Sequence, residues 1–207
     1  QQVFYVEEGK VKLSLENNLG SPETLSPEEI ILNRGDVFTT FGRFSWYTLM
    51  NSRIMRIQQP KHSSVRRNAG EAVTLREHKG YIYPDIVDAQ SMSMVLRGNI
   101  APEKYNVITT NSFPLGIGVK APVAGEKGRL PHIHRPVEAP KSELLVNQKG
   151  IMRFMAYKYL ADENKGVKVG EFMLFRGDRV LSLAGHDVEF VTDSKMLEIS
   201  VGPYPGT

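Results

Sequence analysis

His132 and His134 stand one residue apart in the stretch Arg129-Leu-Pro-His-Ile-His-Arg-Pro. Side chains alternate faces along an extended strand, so residues i and i+2 point the same way. On a strand the two imidazoles therefore converge on one point. A carboxylate, Glu143, opens the next apolar run, Glu-Leu-Leu-Val, and Gly150 follows seven residues later. Phe175-Arg-Gly-Asp178 predicts a turn, followed by a strand that ends at Ala184-Gly-His186. Three imidazoles and one carboxylate make a ligand set suited to a single divalent ion of Zn, Fe, Mn or Ni. Neutral imidazoles with one carboxylate leave net positive charge on such an ion, which favours an oxyanion, enediolate or carboxylate ligand.

The elements that must position these residues read as strands. Residues 3–15 form two strands around a Glu-Glu-Gly turn, the second alternating apolar and polar residues as a half-buried strand does. Ile30–Asp36 leads through Arg-Gly-Asp into a strand at Val37–Phe41. Ser45–Leu49 and Arg53–Ile57 add two more, with a turn at Asn51-Ser52. Residues 58–110 are the least patterned, with strand character at Val73–Tyr83 and a short helix expected within Pro84–Arg97 around Met92, Met94 and Val95. Residues 106–123 are β-rich again, and Met152–Tyr159 continues after Gly150.

His-x-His, then Glu-x6-Gly, then Gly-Asp and a later His resembles the two motifs of the cupin superfamily over residues 115–204. The resemblance implies small antiparallel β-barrels, jelly-roll-like double-stranded β-helices, with one metal held by His132, His134, Glu143 and His186. Two departures stand out. The usual Glu lies four or five residues after the second His; Glu138 sits at four, but only Glu143 has its glycine at the expected distance. The usual Pro-x-Gly before the last His is shortened to Ala184-Gly185. Leu197-Glu-Ile-Ser-Val-Gly-Pro-Tyr204 is similar to the ending of cupins found with sugar-nucleotide and polysaccharide genes.

The chain also repeats itself. Gly9 matches Gly150 at an offset of 141, and Arg34-Gly35-Asp36 matches Arg176-Gly177-Asp178 at 142. Ser52 with Ile57 matches Ser194 with Ile199, again at 142. A constant offset across turn signals argues for duplication. The expected architecture is all-β, a bicupin whose first copy is incomplete or degenerate. Its parts are a partial barrel over 1–60, a connector over 61–105 and the metal-binding barrel over 106–207. Gln2 falls where Glu143 sits and Phe44 falls near His186, so the first copy is expected to hold no metal. Phe41, Phe44 and Trp46 read as packing residues.

Bulk composition narrows the function classes. A net charge of +3 is too weak to imply nucleic acid without a clustered patch. No apolar run approaches a membrane span and no signal-peptide pattern opens the chain. The absence of cysteine removes disulfides and thiolate metal sites, which fits a reducing cytoplasm. Gln1 in place of Met reads as processing or as part of a longer chain. Open sheets leave edge strands, and a homodimer is one way to cover them.

These features point to a metal-dependent enzyme acting on a small polar or anionic substrate. The family resemblance directs the chemistry towards sugar or sugar-acid isomerisation or epimerisation, with Glu138 or Tyr157 as the proton-transfer group. Fe(II)-dependent dioxygenase chemistry uses the same ligands. A non-catalytic small-molecule-binding or structural bicupin is the other class. Polar groups beside the ligands would favour catalysis, and wholly apolar walls would favour binding or structure.

Overall fold

The computed structural model describes residues 1–16, 29–58, 80–82, 84–88, 93–108, 115–126, 142–160, 165–183 and 185–201. Among these there is no helix. The chain divides into two units, one of Gln1–Val73 with Tyr83–Asn99 and one of Thr74–Ile82 with Ile100–Thr207.

The first unit holds β1 (Gln2–Glu8), β2 (Lys10–Glu16), β3 (Glu29–Asn33), β4 (Val37–Thr40), β5 (Arg43–Thr48), β6 (Arg53–Gln58), β8 (Asp85–Asp88) and β9 (Ser93–Leu96). They form two antiparallel sheets, β6-β1-β4-β9-β8 and β3-β2-β5. Alternation decides which side chains meet between them. Val11, Leu13 and Leu15 of β2 are buried, and they join Phe4, Val6, Phe38 and Val95 in one apolar core. Burying each such side chain contributes on the order of 1.5–3 kcal/mol.

The second unit holds β7 (Tyr81–Ile82), β10 (Tyr105–Ile108), β11 (Leu115–Lys120), β12 (Glu143–Lys149), β13 (Met152–Leu160), β14 (Lys165–Leu174), β15 (Arg179–Ser182), β16 (Gly185–Phe190) and β17 (Lys195–Val201). Its sheets are β15-β12-β17-β11-β10-β7 and β14-β13-β16. All pairings are antiparallel except β7 with β10. Leu145 and Met196 from the larger sheet meet Met152, Phe154, Leu174, Val188 and Phe190 from the smaller one.

The internal repeat survives at the level of single hydrogen bonds. Gly9 and Gly150 both take φ near +85°, at +86° and +85°. A side chain there would strike the backbone of Asn51-Ser52 in one unit and of Asp193-Ser194 in the other. The Gly35 amide donates to Val6 O at 2.8 Å, and the Gly177 amide donates to Asn147 O at 2.7 Å. Each Asp of the Gly-Asp turn accepts a backbone N–H three residues back, Asn33 N to Asp36 at 3.0 Å and Phe175 N to Asp178 at 2.7 Å. A register shift falls between Val6 and Glu8 on β1 and between Asn147 and Lys149 on β12.

Three expectations meet a different outcome. Pro84–Arg97 holds strands β8 and β9, not a helix, and Met94 and Val95 are buried. The four residues of β9 are all buried, so no alternation marks them as a strand. The stretch 61–105, expected as a connector, supplies β8 and β9 to the first unit and β7 to the second. Arg97 and Gly98, just after β9, clasp the first unit's Gly-Asp turn. Arg97 pairs with Asp36 at 3.1 Å and with Asp85 at 2.7 Å, and the Gly98 amide donates to Asp36 at 2.8 Å. The strand after Asp178 ends at Ser182, and His186 belongs to the next strand, in the opposing sheet.

Candidate functional site

Glu143 and His186 come together from opposing sheets of the second unit. Glu143 is the first residue of β12 and His186 the second of β16. Both are buried, and His186 Nε2 lies 3.2 Å from Glu143 Oε2. On the other side of the ring, His186 Nδ1 lies 3.0 Å from Ser182 Oγ. The ring stacks on Phe154, with centroids 5.4 Å apart. Phe154 thus fixes the imidazole plane, and Ser182 occupies the nitrogen that faces away from the carboxylate. A metal-binding histidine is commonly held in this way, one nitrogen for the ion and the other tied to a neighbour.

Cross-strand register shows what else shares this interior face. Glu143 lies opposite Ser182 on one side and Ser200 on the other. Ser200 in turn lies opposite Gly116. The carboxylate's cross-strand neighbours are thus two serines, with a glycine beyond. One step along, roughly 7 Å for two residues of strand, Leu145 lies opposite Glu198, and Glu198 opposite Gly118. Lys120 reaches Glu198 in an ion pair at 2.6 Å, with about a quarter of each side chain exposed (26% and 25%). Burial alone would depress the Lys120 ammonium, but Glu198 outweighs it and holds the group above the ordinary lysine range, with Glu143 adding to the same field. Lys120 and Glu198 were missed in the sequence. Their signal is alternation: Gly116, Gly118 and Lys120 share one face of β11, and Glu198 and Ser200 share one face of β17.

The remaining candidates fare differently. His132, His134 and Glu138 lie outside the described residues, as do His62 and His78. Among the described residues no three His, Cys, Asp or Glu side chains form a metal-sized group. Tyr157 is not brought to Glu143 and His186. Ala156 lies opposite His186, and Tyr157 lies opposite Gly185, which puts Tyr157 on the other face of the sheet. Arg153 takes that other face as well, alternate to Phe154, and pairs with Glu189 at 3.0 Å. The donor set still fits a metal. An imidazole nitrogen and a carboxylate oxygen face each other in a buried site, from two strands that both follow the His132–His134 segment in sequence.

In the first unit the same register positions carry different chemistry. Gln2 pairs with Thr40 and Gln58, as Glu143 pairs with Ser182 and Ser200. Phe44 pairs with Leu15, as His186 pairs with Ala156. An amide and a phenyl ring therefore replace the carboxylate and the imidazole.

No protein-family model matches the chain, and no curated protein matches it. Solved structures do. The coconut allergen cocosin superposes with a TM-score of 0.54 at 9% identity, over 97% of this chain and 71% of that one. A cupin 2 conserved barrel domain protein from Leptotrichia buccalis gives a TM-score of 0.51 at 13% identity, over 97% of this chain and 73% of that one. Among the described residues no helix is long and apolar enough to cross a membrane. Two like units of paired antiparallel sheets, repeated to the hydrogen bond, and these likenesses over nearly the whole length identify the chain as a protein of the cupin fold.

Proposed function

We propose that the second unit is a metal-dependent enzyme site for a small polar or anionic substrate, with sugar or sugar-acid isomerisation or epimerisation as its reaction class. Glu143 and His186, with His132 and His134, would hold one divalent ion. The observation that carries this reading is the Glu143–His186 pair, buried at 3.2 Å and braced by Ser182. A divalent ion held there would polarise a carbonyl or hydroxyl oxygen. The chain's own residues supply the rest. Lys120, held by Glu198, would donate a hydrogen bond to a polar substrate on the interior face. Phe154 and the apolar core beneath it exclude water. Glu198, beside Lys120, would accept a proton from a bound sugar acid.

The polar pair also weighs against the other readings. A purely structural or carrier unit has no need of an ion pair on its interior face, and an aromatic dioxygenase substrate is poorly served by one. Metal content per chain tests the proposal, measured for the wild type, Glu143→Gln and His186→Ala after loading near neutral pH, where histidine is mostly deprotonated. Near one metal in the wild type and a marked loss in both variants is expected. Sugar acids are then screened with and without oxygen. No metal in the wild type would overturn the enzyme reading.

A further inference from the structure

The first unit carries a second, chemically inverted site. A cavity of about 450 Å³ opens at the positions that match the Glu143–His186 site, bordered by Gln2, Phe4, Phe44, Trp46 and Arg56. That volume lies within the range of small-molecule pockets. Phe4 makes its floor, with Phe44 edge-on at 4.9 Å and Trp46 at 6.1 Å between centroids. Trp46 is 44% exposed, too open for a ring that serves only as core filling.

Arg56 matches Glu198 of the second unit. Arg56 lies opposite Phe4 on the neighbouring strand, as Glu198 lies opposite Leu145. Its guanidinium sits over the Phe4 ring at 5.7 Å. Nη2 donates to the side-chain oxygens of Gln2 at 2.9 Å and Gln58 at 2.8 Å. Both acceptors are neutral, so they orient the guanidinium without cancelling its charge. Arg43 borders the same cavity, and no carboxylate does among the described residues. Where the second unit gathers carboxylates and an imidazole, the first gathers a guanidinium, an amide and three aromatic rings.

We propose that the first unit binds a small carboxylate with a planar apolar body. Arg56 takes the carboxylate through the N–H groups that the glutamines leave, in the forked geometry guanidinium offers. Phe44 and Trp46 take the ring. Cations are disfavoured by two arginines, and a metal by the lack of His, Cys, Asp or Glu along the cavity among the described residues.

Trp46 is the single tryptophan of the chain, so its fluorescence reports on this cavity directly. Phenylacetate is titrated into the full protein, with phenylacetamide as the uncharged match. Saturable quenching by phenylacetate is expected, with phenylacetamide weaker by roughly ten-fold or more. Arg56→Gln should weaken phenylacetate by a similar factor and leave phenylacetamide unchanged. Gln2→Glu, which sets a carboxylate against Arg56 at nearly constant volume, should do the same. Far-UV circular dichroism confirms that each variant is folded, and either variant alone suffices. No saturable response up to about 20 mM, equal binding of acid and amide, or unchanged binding by the folded variants would overturn the proposal.

Discussion

Gly150→Ala separates two costs that Gly177→Ala does not. Both glycines lie in the left-handed region, with φ of +85° and +95°. An alanine there costs about 1–2 kcal/mol in backbone strain alone. Lower chain entropy in the unfolded state returns roughly 0.4–1 kcal/mol. At Gly177 nothing lies within 4 Å of the added Cβ, so the net cost should be about 1 kcal/mol. At Gly150 the Cβ would sit 2.5 Å from Asp193 O and 2.9 Å from Ser194 Cα. Those are backbone atoms of the two residues just before β17, which pairs with β12 along its length. Relieving the clash must shift a strand, which adds about 1–3 kcal/mol. Urea unfolding followed by circular dichroism checks the difference. With a slope of about 2 kcal/mol per molar, the midpoint should fall by roughly 0.5 M for Gly177→Ala and by 1–2 M for Gly150→Ala. Equal shifts would refute the reasoning, because strain alone would then explain both. The turn also fixes the register that points Glu143 inward, and a slip of one residue would turn it out. Gly150→Ala should therefore lower metal occupancy as well as stability.

Two further outcomes follow from the second unit. Ser182→Ala removes the hydroxyl beside His186 Nδ1 and should weaken metal binding by roughly 10- to 100-fold in competition with a chelator, while the full complement still loads at excess metal; unchanged affinity would mean that Ser182 does not orient the ring. Burial, then the hydrogen bond to Glu126, raises the Tyr105 hydroxyl well above the ordinary tyrosine range. The folded state then keeps a proton that the unfolded chain loses above about pH 10, so stability is full below that pH and declines as pH rises past it. Tyr105→Phe should remove about 1 kcal/mol of the decline between pH 9.5 and 11, after allowance for solvent screening, leaving the share owed to the Lys120–Glu198 pair; an identical slope in both proteins would assign the decline elsewhere.

What could be read from the sequence was local. Gly9, Gly35, Gly150 and Gly177 announce turns because only glycine takes positive φ without strain, and their common offset exposes the duplication. Val11, Leu13 and Leu15 announce β2 by alternation alone. Strand β9 announces nothing, because its residues are buried on both faces and its partner Val37 lies 59 residues before Leu96. The same limit hid the break before His186. Whether Ala184-Gly185 continues one strand or begins another depends on which sheet receives it, and Ala156 of β13 decides that from 30 residues away.

The first unit shows where local reading stops short of chemistry. Offset alone places Gln2 on Glu143 and Phe44 on His186, and it places Arg56 on Glu198 just as directly. It does not say whether three aromatic rings close on one another or stand apart. Phe4 and Phe44 meet edge to face, yet Trp46 remains 44% exposed and a cavity stays open beside Arg56. A packed cluster would have covered the guanidinium or excluded it, since a charge buried without a counter-ion is costly. Two glutamine oxygens hold it at the rim of the cavity instead, charged and oriented. The two units thus share scaffold, turns and register, while the matched positions carry a carboxylate and an imidazole in one and an amide, a phenyl ring and a guanidinium in the other.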